Sequence, residues 1–343
     1  GIPETDIDAL SRYWDVCPGL KRALFKKTRP GYMTLRADHA DIRTTIFEHP
    51  EFVQFTENMN AVFASWRKAA TKRMKALENG FVPKELIADE SERLLAHYAG
   101  KPLIDHYDVY QHLMDFWAEI MQDDAYLVAA DGWKAETSRI IEKDKKGKEK
   151  DKGWTCDLVP KPLIVARYFA EEQAAIDEMS AALEQVSAEI TELEEEHSGE
   201  DGAFAELDKV NKGTVAARLK EIKDDPDSED EAAVLKKWQR LYKRQADLKK
   251  QIRAAETELD DLAYNKYPEL SEDEIKALVV DDKWMASLEM RINGEVDRVS
   301  QRLSQHVREL AERYADPLPE LTERTGELEA RVNAHLEKMG FVA

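Results

Sequence analysis

Glycine is scarce in this chain, with 14 in 343 residues, and there are only two cysteines, Cys17 and Cys156. Two widely separated cysteines in no paired motif argue against a disulfide scaffold and for a reducing cytosol. No apolar run approaches the roughly 20 residues that a membrane-spanning helix requires, and the N-terminus lacks the charged-then-apolar layout of a signal peptide. A cytoplasmic protein that does not bind membranes is the expectation. The chain begins Gly1-Ile2-Pro3 rather than with Met, which reads as a start inside something larger.

Catalytic signatures are missing too. There is no GxGxxG, GxSxG, HExxH or CxxC, and Lys212-Gly213-Thr214 has the wrong residue order for a phosphate loop. No stretch alternates strand and helix as a nucleotide-binding sheet requires. The acidic run Asp224–Asp230 fails as a calcium loop. Counting from Asp225, the sixth position is Asp230 instead of Gly and the twelfth is Lys236 instead of Glu. A complete enzyme is therefore not expected, nor any catalytic, cofactor or metal residue in this chain.

What is present is helical periodicity. Phe169, Ile176, Met179, Leu183, Val186, Ile190 and Leu193 follow the three-and-four spacing of a coiled-coil seam from Ile176 onward. The spacing returns at Val234, Trp238, Leu241, Gln245, Leu248, Ile252, Ala255, Leu259 and Leu262. A seam needs a partner, and the nearest one is the other segment folded back. The expectation is a mainly α fold with little or no β, in which a long antiparallel coiled-coil hairpin projects from a helical body. The first arm would be about 45 Å long at ~1.5 Å per residue. Trp238 and Gln245 are large or polar for such a seam, which suggests a role in register or partner choice.

Three regions follow: a helical body over 1–162, the hairpin over 163–267 with a polar tip at 197–233, and C-terminal helices over 268–343. In the body, His49-Pro50 separates two helices and Pro83 starts another. Asp38 is a candidate helix cap. Tyr126, Leu127 and Val128 suggest one short strand, and 139–153 reads mainly as a solvated lysine-rich loop, with DNA contact as the lesser alternative. Ser271 and Glu274 form a capping box. Beyond it, Ile292, Val296, Val299, Leu303, His306 and Leu310 give a further heptad-like seam ending at Asp316-Pro317. A last helix carries Leu321, Leu328, Val332 and Leu336 and stops at Gly340.

The formal charge of −20 is unevenly distributed. Residues 1–160 hold 24 Lys+Arg against 27 Asp+Glu, a net of −3, and the remaining residues hold 26 against 43, a net of −17. The front half is thus the better candidate for phosphate contact. Between Val16 and Ala37 there are six basic residues and no acid. Lys21, Arg22, Lys26, Lys27 and Arg29 from this run are candidate DNA-phosphate contacts. So are Arg67, Lys68, Lys72 and Arg73, although cations near a helix C-terminus also complement its dipole. Asp108, His112 and Asp115 lie on one helix face. A solvated polar stripe explains them better than a metal site, and Asp123-Asp124 has no nucleophile nearby in sequence.

Several segments resemble a known family: Ser11–Leu20 (SRYWDVCPGL), Tyr110–Trp133 and Leu163–Gln173 (LIVARYFAEEQ). Ala216–Ile222, Val279–Trp284 (VVDDKW) and Leu310–Tyr314 (LAERY) look similar as well. They resemble the region downstream of the catalytic domain in the long modification (M) subunits of type I restriction-modification systems. That family comprises adenine-N6 DNA methyltransferases that use S-adenosylmethionine. Its Gly-containing cofactor motif and its Asn-Pro-Pro-Tyr/Phe motif are both missing here, so no catalytic role is carried over. The resemblance implies a C-terminal module, inactive alone, that packs on the specificity (S) subunit, helps enclose DNA and joins the restriction subunit in the full complex. The cofactor would belong to the parent protein. A coiled-coil adaptor unrelated to methylation is the alternative. A stand-alone acid site around Asp108, His112, Asp123 and Asp124 is a third reading.

Overall fold

The computed structural model describes residues 1–315 and 318–339; the expected stops at Asp316-Pro317 and Gly340 lie outside them. The chain is mostly helical, with two small sheets. It divides into two compact units, Gly1–Gly132 with Val280–Ala343, and Trp133–Val279.

In the first unit a short antiparallel sheet forms at the N-terminus. β1 (Ile2–Pro3) and β2 (Phe25–Arg29) both pair with β3 (Tyr32–Leu35). Pro30-Gly31 makes the tight turn between β2 and β3, and Gly31 adopts the left-handed backbone conformation (φ 77°) that glycine tolerates best. Trp14 lies under this sheet, its ring 6.2 Å from Phe25 and its indole N–H donating to the Ile7 carbonyl at 2.7 Å.

The helix Pro50–Lys75 is the spine of this unit. Pro50 occupies its first turn, where a missing N–H costs nothing, and His49 caps it by accepting from the Glu51 amide. Phe52, Phe55, Met59, Phe63, Trp66, Ala70 and Met74 recur at steps of three and four, and all are buried. The helix Ala286–Arg313 does the same with Leu288, Ile292, Val296, Val299, Leu303, Val307 and Leu310. His306, expected on this seam, is exposed; Val307 takes the inward position, so the step from Leu303 is four rather than three. Asp41, not Asp38, precedes the helix Ile42–Phe47, and it makes no side-chain cap. The strand expected at Tyr126–Val128 is instead part of the helix Gln122–Asp131, where Val128 is buried and Tyr126 and Leu127 face solvent.

The second unit contains a two-stranded hairpin, β4 (Ser138–Lys143) and β5 (Glu149–Thr155), where a loop was expected. Among the described residues the β-structure is confined to these five short strands, the small amount expected of a mainly helical chain. The hairpin's apolar residues are Ile140 and Ile141, adjacent in sequence, and Trp154 at its base, so the alternation that normally betrays a strand is absent. Its pairing comes from the backbone and from the Asp144–Gly147 turn, in which Gly147 has φ 77°.

Two long helices dominate the rest of this unit, Ala170–Glu196 and Glu229–Lys266. They run antiparallel. Gln245 Nε2 donates to Ser187 Oγ at 2.9 Å, and Trp238 Nε1 donates to Glu194 Oε1 at 2.7 Å. Between them lies a helix, Lys212–Glu221, started by a reciprocal capping box of Asn211 and Thr214. The expected polar tip has a core of its own. Phe204, Val215 and Ile222 pack with Ile190, Leu193, Leu235 and Trp238. Past the second long helix, Ser271 and Glu274 form the expected capping box, each side chain accepting from the other residue's backbone N–H.

Candidate nucleic-acid and assembly surfaces

The five front cations sit on one short stretch, the helix Pro18–Leu24 followed by β2. Lys26, Lys27 and Arg29 are exposed because β2 buries only Phe25. They are not equally available. Lys21 pairs with Asp8 at 2.5 Å, Lys27 lies 3.5 Å from Glu4, and the Arg29 guanidinium covers the Tyr32 ring at 4.1 Å.

The second group is already committed to structure. Arg73 makes two parallel bonds, 2.6 and 2.8 Å, to Glu90, whose carboxylate is buried. The Glu90 hydrogen bond, opposed by burial and helped by the carboxylate's charge, holds the guanidinium pKa above its ordinary value. Arg67 bonds Glu289 at 2.8 Å. Among the described residues Lys68 and Lys72 make no ion pair, and both are exposed.

The structure does not merge the two groups. The Gly19 and Leu20 amides, at the start of the front helix, donate to Glu51 at the N-terminal end of the spine helix. Arg67–Arg73 lie 16 to 22 residues further along it, about 24–33 Å at 1.5 Å per residue. They are two surfaces and not one patch.

The acid and histidine stripe has a structural answer. His112 Nε2 lies 2.6 Å from Glu295 Oε1, and Glu295 also receives Arg298 at 3.0 Å. Asp115 accepts from Gln111. Asp124 is buried and accepts from Lys283 and from the Trp284 indole, both at 2.8 Å, whereas Asp123 is exposed. Burial raises the Asp124 pKa, and the Lys283 ammonium and both hydrogen bonds oppose that shift. These buried carboxylates, Asp124 and Glu295, join elements far apart in sequence. Among the described residues no group of three or more His, Cys, Asp or Glu is placed to hold a metal ion, and no helix is long and apolar enough to cross a membrane. Sequence reasoning missed Glu90 and Glu295, because Arg73 and His112 lie 17 and 183 residues away and the neighbouring Arg298 gives no sign of the His112 contact.

Both cysteines are buried and neither is in a disulfide. Desolvation, with the nearby Glu51 charge, pushes the Cys17 thiol up to about 11, which keeps it protonated and inert.

The seam residues of the two long helices share a face. Ile176, Ile190, Leu193, Trp238, Leu248 and Leu259 are buried, while Met179, Leu183, Val186, Leu241, Gln245 and Ile252 are half-buried. Leu262 stays exposed and Ala263 takes its place; Leu235 is buried one residue after Val234. Trp238 stacks on Tyr242 at 4.8 Å. The last helix, Leu318–Lys338, exposes Leu328, Val332 and Leu336, by 57, 55 and 40%. That spacing is an apolar stripe on one face.

No protein-family model matches this chain, and no curated protein or solved structure matches it either.

Proposed function

We propose that this chain is the C-terminal assembly and DNA-clamping module of a type I modification methyltransferase, active only with a catalytic domain that supplies the S-adenosylmethionine site. The observation that carries the reading is the apolar stripe of Leu328, Val332 and Leu336, left uncovered on a helix, together with the half-buried helix-pair seam. Exposed apolar stripes at helical spacing mark surfaces made for a partner helix. The segments resembling modification subunits name that partner as the specificity subunit. In this reading the two antiparallel helices act as a coiled-coil hairpin, with the Gln245–Ser187 hydrogen bond fixing register. The restriction subunit and DNA complete the assembly, and the location is the cytoplasm.

Mixing the purified chain with a type I specificity subunit and following co-migration by size exclusion tests this. The expected result is one complex at micromolar concentration, lost in Leu328→Asp/Val332→Asp. No complex, or a complex indifferent to that substitution, overturns it. The coiled-coil adaptor has its own signature: a homodimer in sedimentation that depends on Ile176, Leu183 and Ile190.

A further inference from the structure

The β4–β5 hairpin joins three properties that neither front patch has. Its base is fixed. Trp154 donates its indole N–H to Asp260 at 3.0 Å and packs against Tyr264 and Tyr267, with ring centroids 5.4 and 5.3 Å away. The Arg139 guanidinium covers Tyr264 from the opposite strand. Beyond that base every residue from Ser138 to Lys152 is exposed, on both faces. The ribbon is therefore bare on both sides and about 20 Å long at ~3.3 Å per residue.

Its charge is sorted by geometry. The Asp144 carboxylate turns inward, accepting from the Lys146 and Lys148 amides at 2.8 and 2.9 Å. Asp151 lies 3.6 Å from Arg139, and Glu142 lies 3.6 Å from Lys152. Three of the four acids in the hairpin are thus occupied near its backbone or by a neighbour. Among the described residues Lys143, Lys145, Lys146, Lys148 and Lys150 make no ion pair and cluster at the distal end. In a chain of net charge −20 this is a concentrated cationic tip on a firm arm.

We propose that the β4–β5 hairpin is a duplex-DNA contact: its lysine tip engages phosphates while the two-stranded ribbon lies along or in the major groove. The proposal rests on the reading above that the chain works on DNA, and it adds an element to which that reading assigned no role. A two-stranded ribbon is one of the shapes the B-form major groove admits. A membrane is disfavoured because the two exposed aliphatic residues, Ile140 and Ile141, are adjacent in β4 and point to opposite faces, so no apolar wedge forms.

The test uses the full chain and a fluorescein-labelled 24-base-pair duplex (~24 chosen to exceed two helical turns,), read by anisotropy across a salt series at low ionic strength. Lys145→Glu/Lys146→Glu/Lys148→Glu should weaken binding at least tenfold and make the log K against log salt slope shallower by about 2 to 3. The control Lys236→Glu/Lys237→Glu/Lys249→Glu, of identical charge change on the second long helix, should cost less than threefold. Circular dichroism melts confirm that both variants fold. Equal losses in the two variants overturn the proposal, because net charge alone would then explain them. So does an unchanged slope, and so does capture by phosphatidylserine vesicles through the same lysines without duplex binding. Loss of the specificity-subunit complex would be a separate failure, since the tip substitutions leave the last helix untouched.

Discussion

Two helices of nearly equal length have opposite fates here. Pro50–Lys75 has 26 residues and buries seven of them, whereas Ala170–Glu196 has 27 and buries three. Both carry apolar residues at three-and-four spacing. The difference lies in what surrounds them. The first is wrapped by several elements of its unit, so aromatic residues as large as Phe63 and Trp66 vanish from solvent. The second meets one long partner and, at one end, the small core around Phe204. A lone helix partner covers one side of a seam residue and leaves its flank wet. Periodicity thus predicts which face turns inward but not how deep it goes.

Mutations can break this contrast. Phe63→Ala should cost about 3–5 kcal/mol, since a fully buried ring leaves a cavity, while Leu183→Ala on the half-buried seam should cost about 1 kcal/mol at ~25 cal/mol per Å² of lost burial. Urea unfolding of each variant measures both, and similar losses would mean the seam is better covered than its exposure implies. Arg73→Ala should fall between them at about 2–3 kcal/mol. It strands the Glu90 carboxylate, yet the arginine side chain is 35% exposed, so the full penalty of a buried broken pair does not apply. Arg73→Lys should recover part of the loss but not the paired geometry.

The gentlest probe is pH. Burial pushes the Asp260 pKa up, but hydrogen bonds from Lys161 and Trp154, with the Lys161 and Arg139 charges, outweigh it and leave it lowered. Its carboxylate therefore favours the folded state above the ordinary carboxylate range, and that contribution disappears as pH falls through the lowered value. Between pH 5 and pH 3 the melting temperature of the wild type should drop more than that of Asp260→Asn. Parallel curves would remove Asp260 from the acid response. Asp124 should oppose this trend, because its raised pKa makes the folded state the better proton acceptor as pH falls.

Much of the architecture is visible in local sequence. Pro50, Pro83 and the Ser271–Glu274 pair mark helix starts because capping and proline geometry act within one turn. The seams of the long helices are visible because a 3.6-residue period is a short-range property. The hairpin was not, since alternating Lys and Glu on a two-faced exposed ribbon carries no burial signal. The misplaced His306 and Leu262 each erred by one residue, where an apolar neighbour offered a competing step. Of the nine candidate phosphate contacts, sequence located the cations but not their acids. Asp8 and Glu4 lie across a folded N-terminal sheet, and Glu90 and Glu289 sit on other helices.

The two cysteines give each unit its own clock. Cys17 belongs to the first and Cys156 to the second, and both are shielded. A thiol reagent can reach either one only after its surroundings open. Peptide mapping of the alkylated chain over time would thus give two opening rates from a single sample, without introducing any label, and would tell whether the surroundings of Cys17 in the first unit or of Cys156 in the second open first.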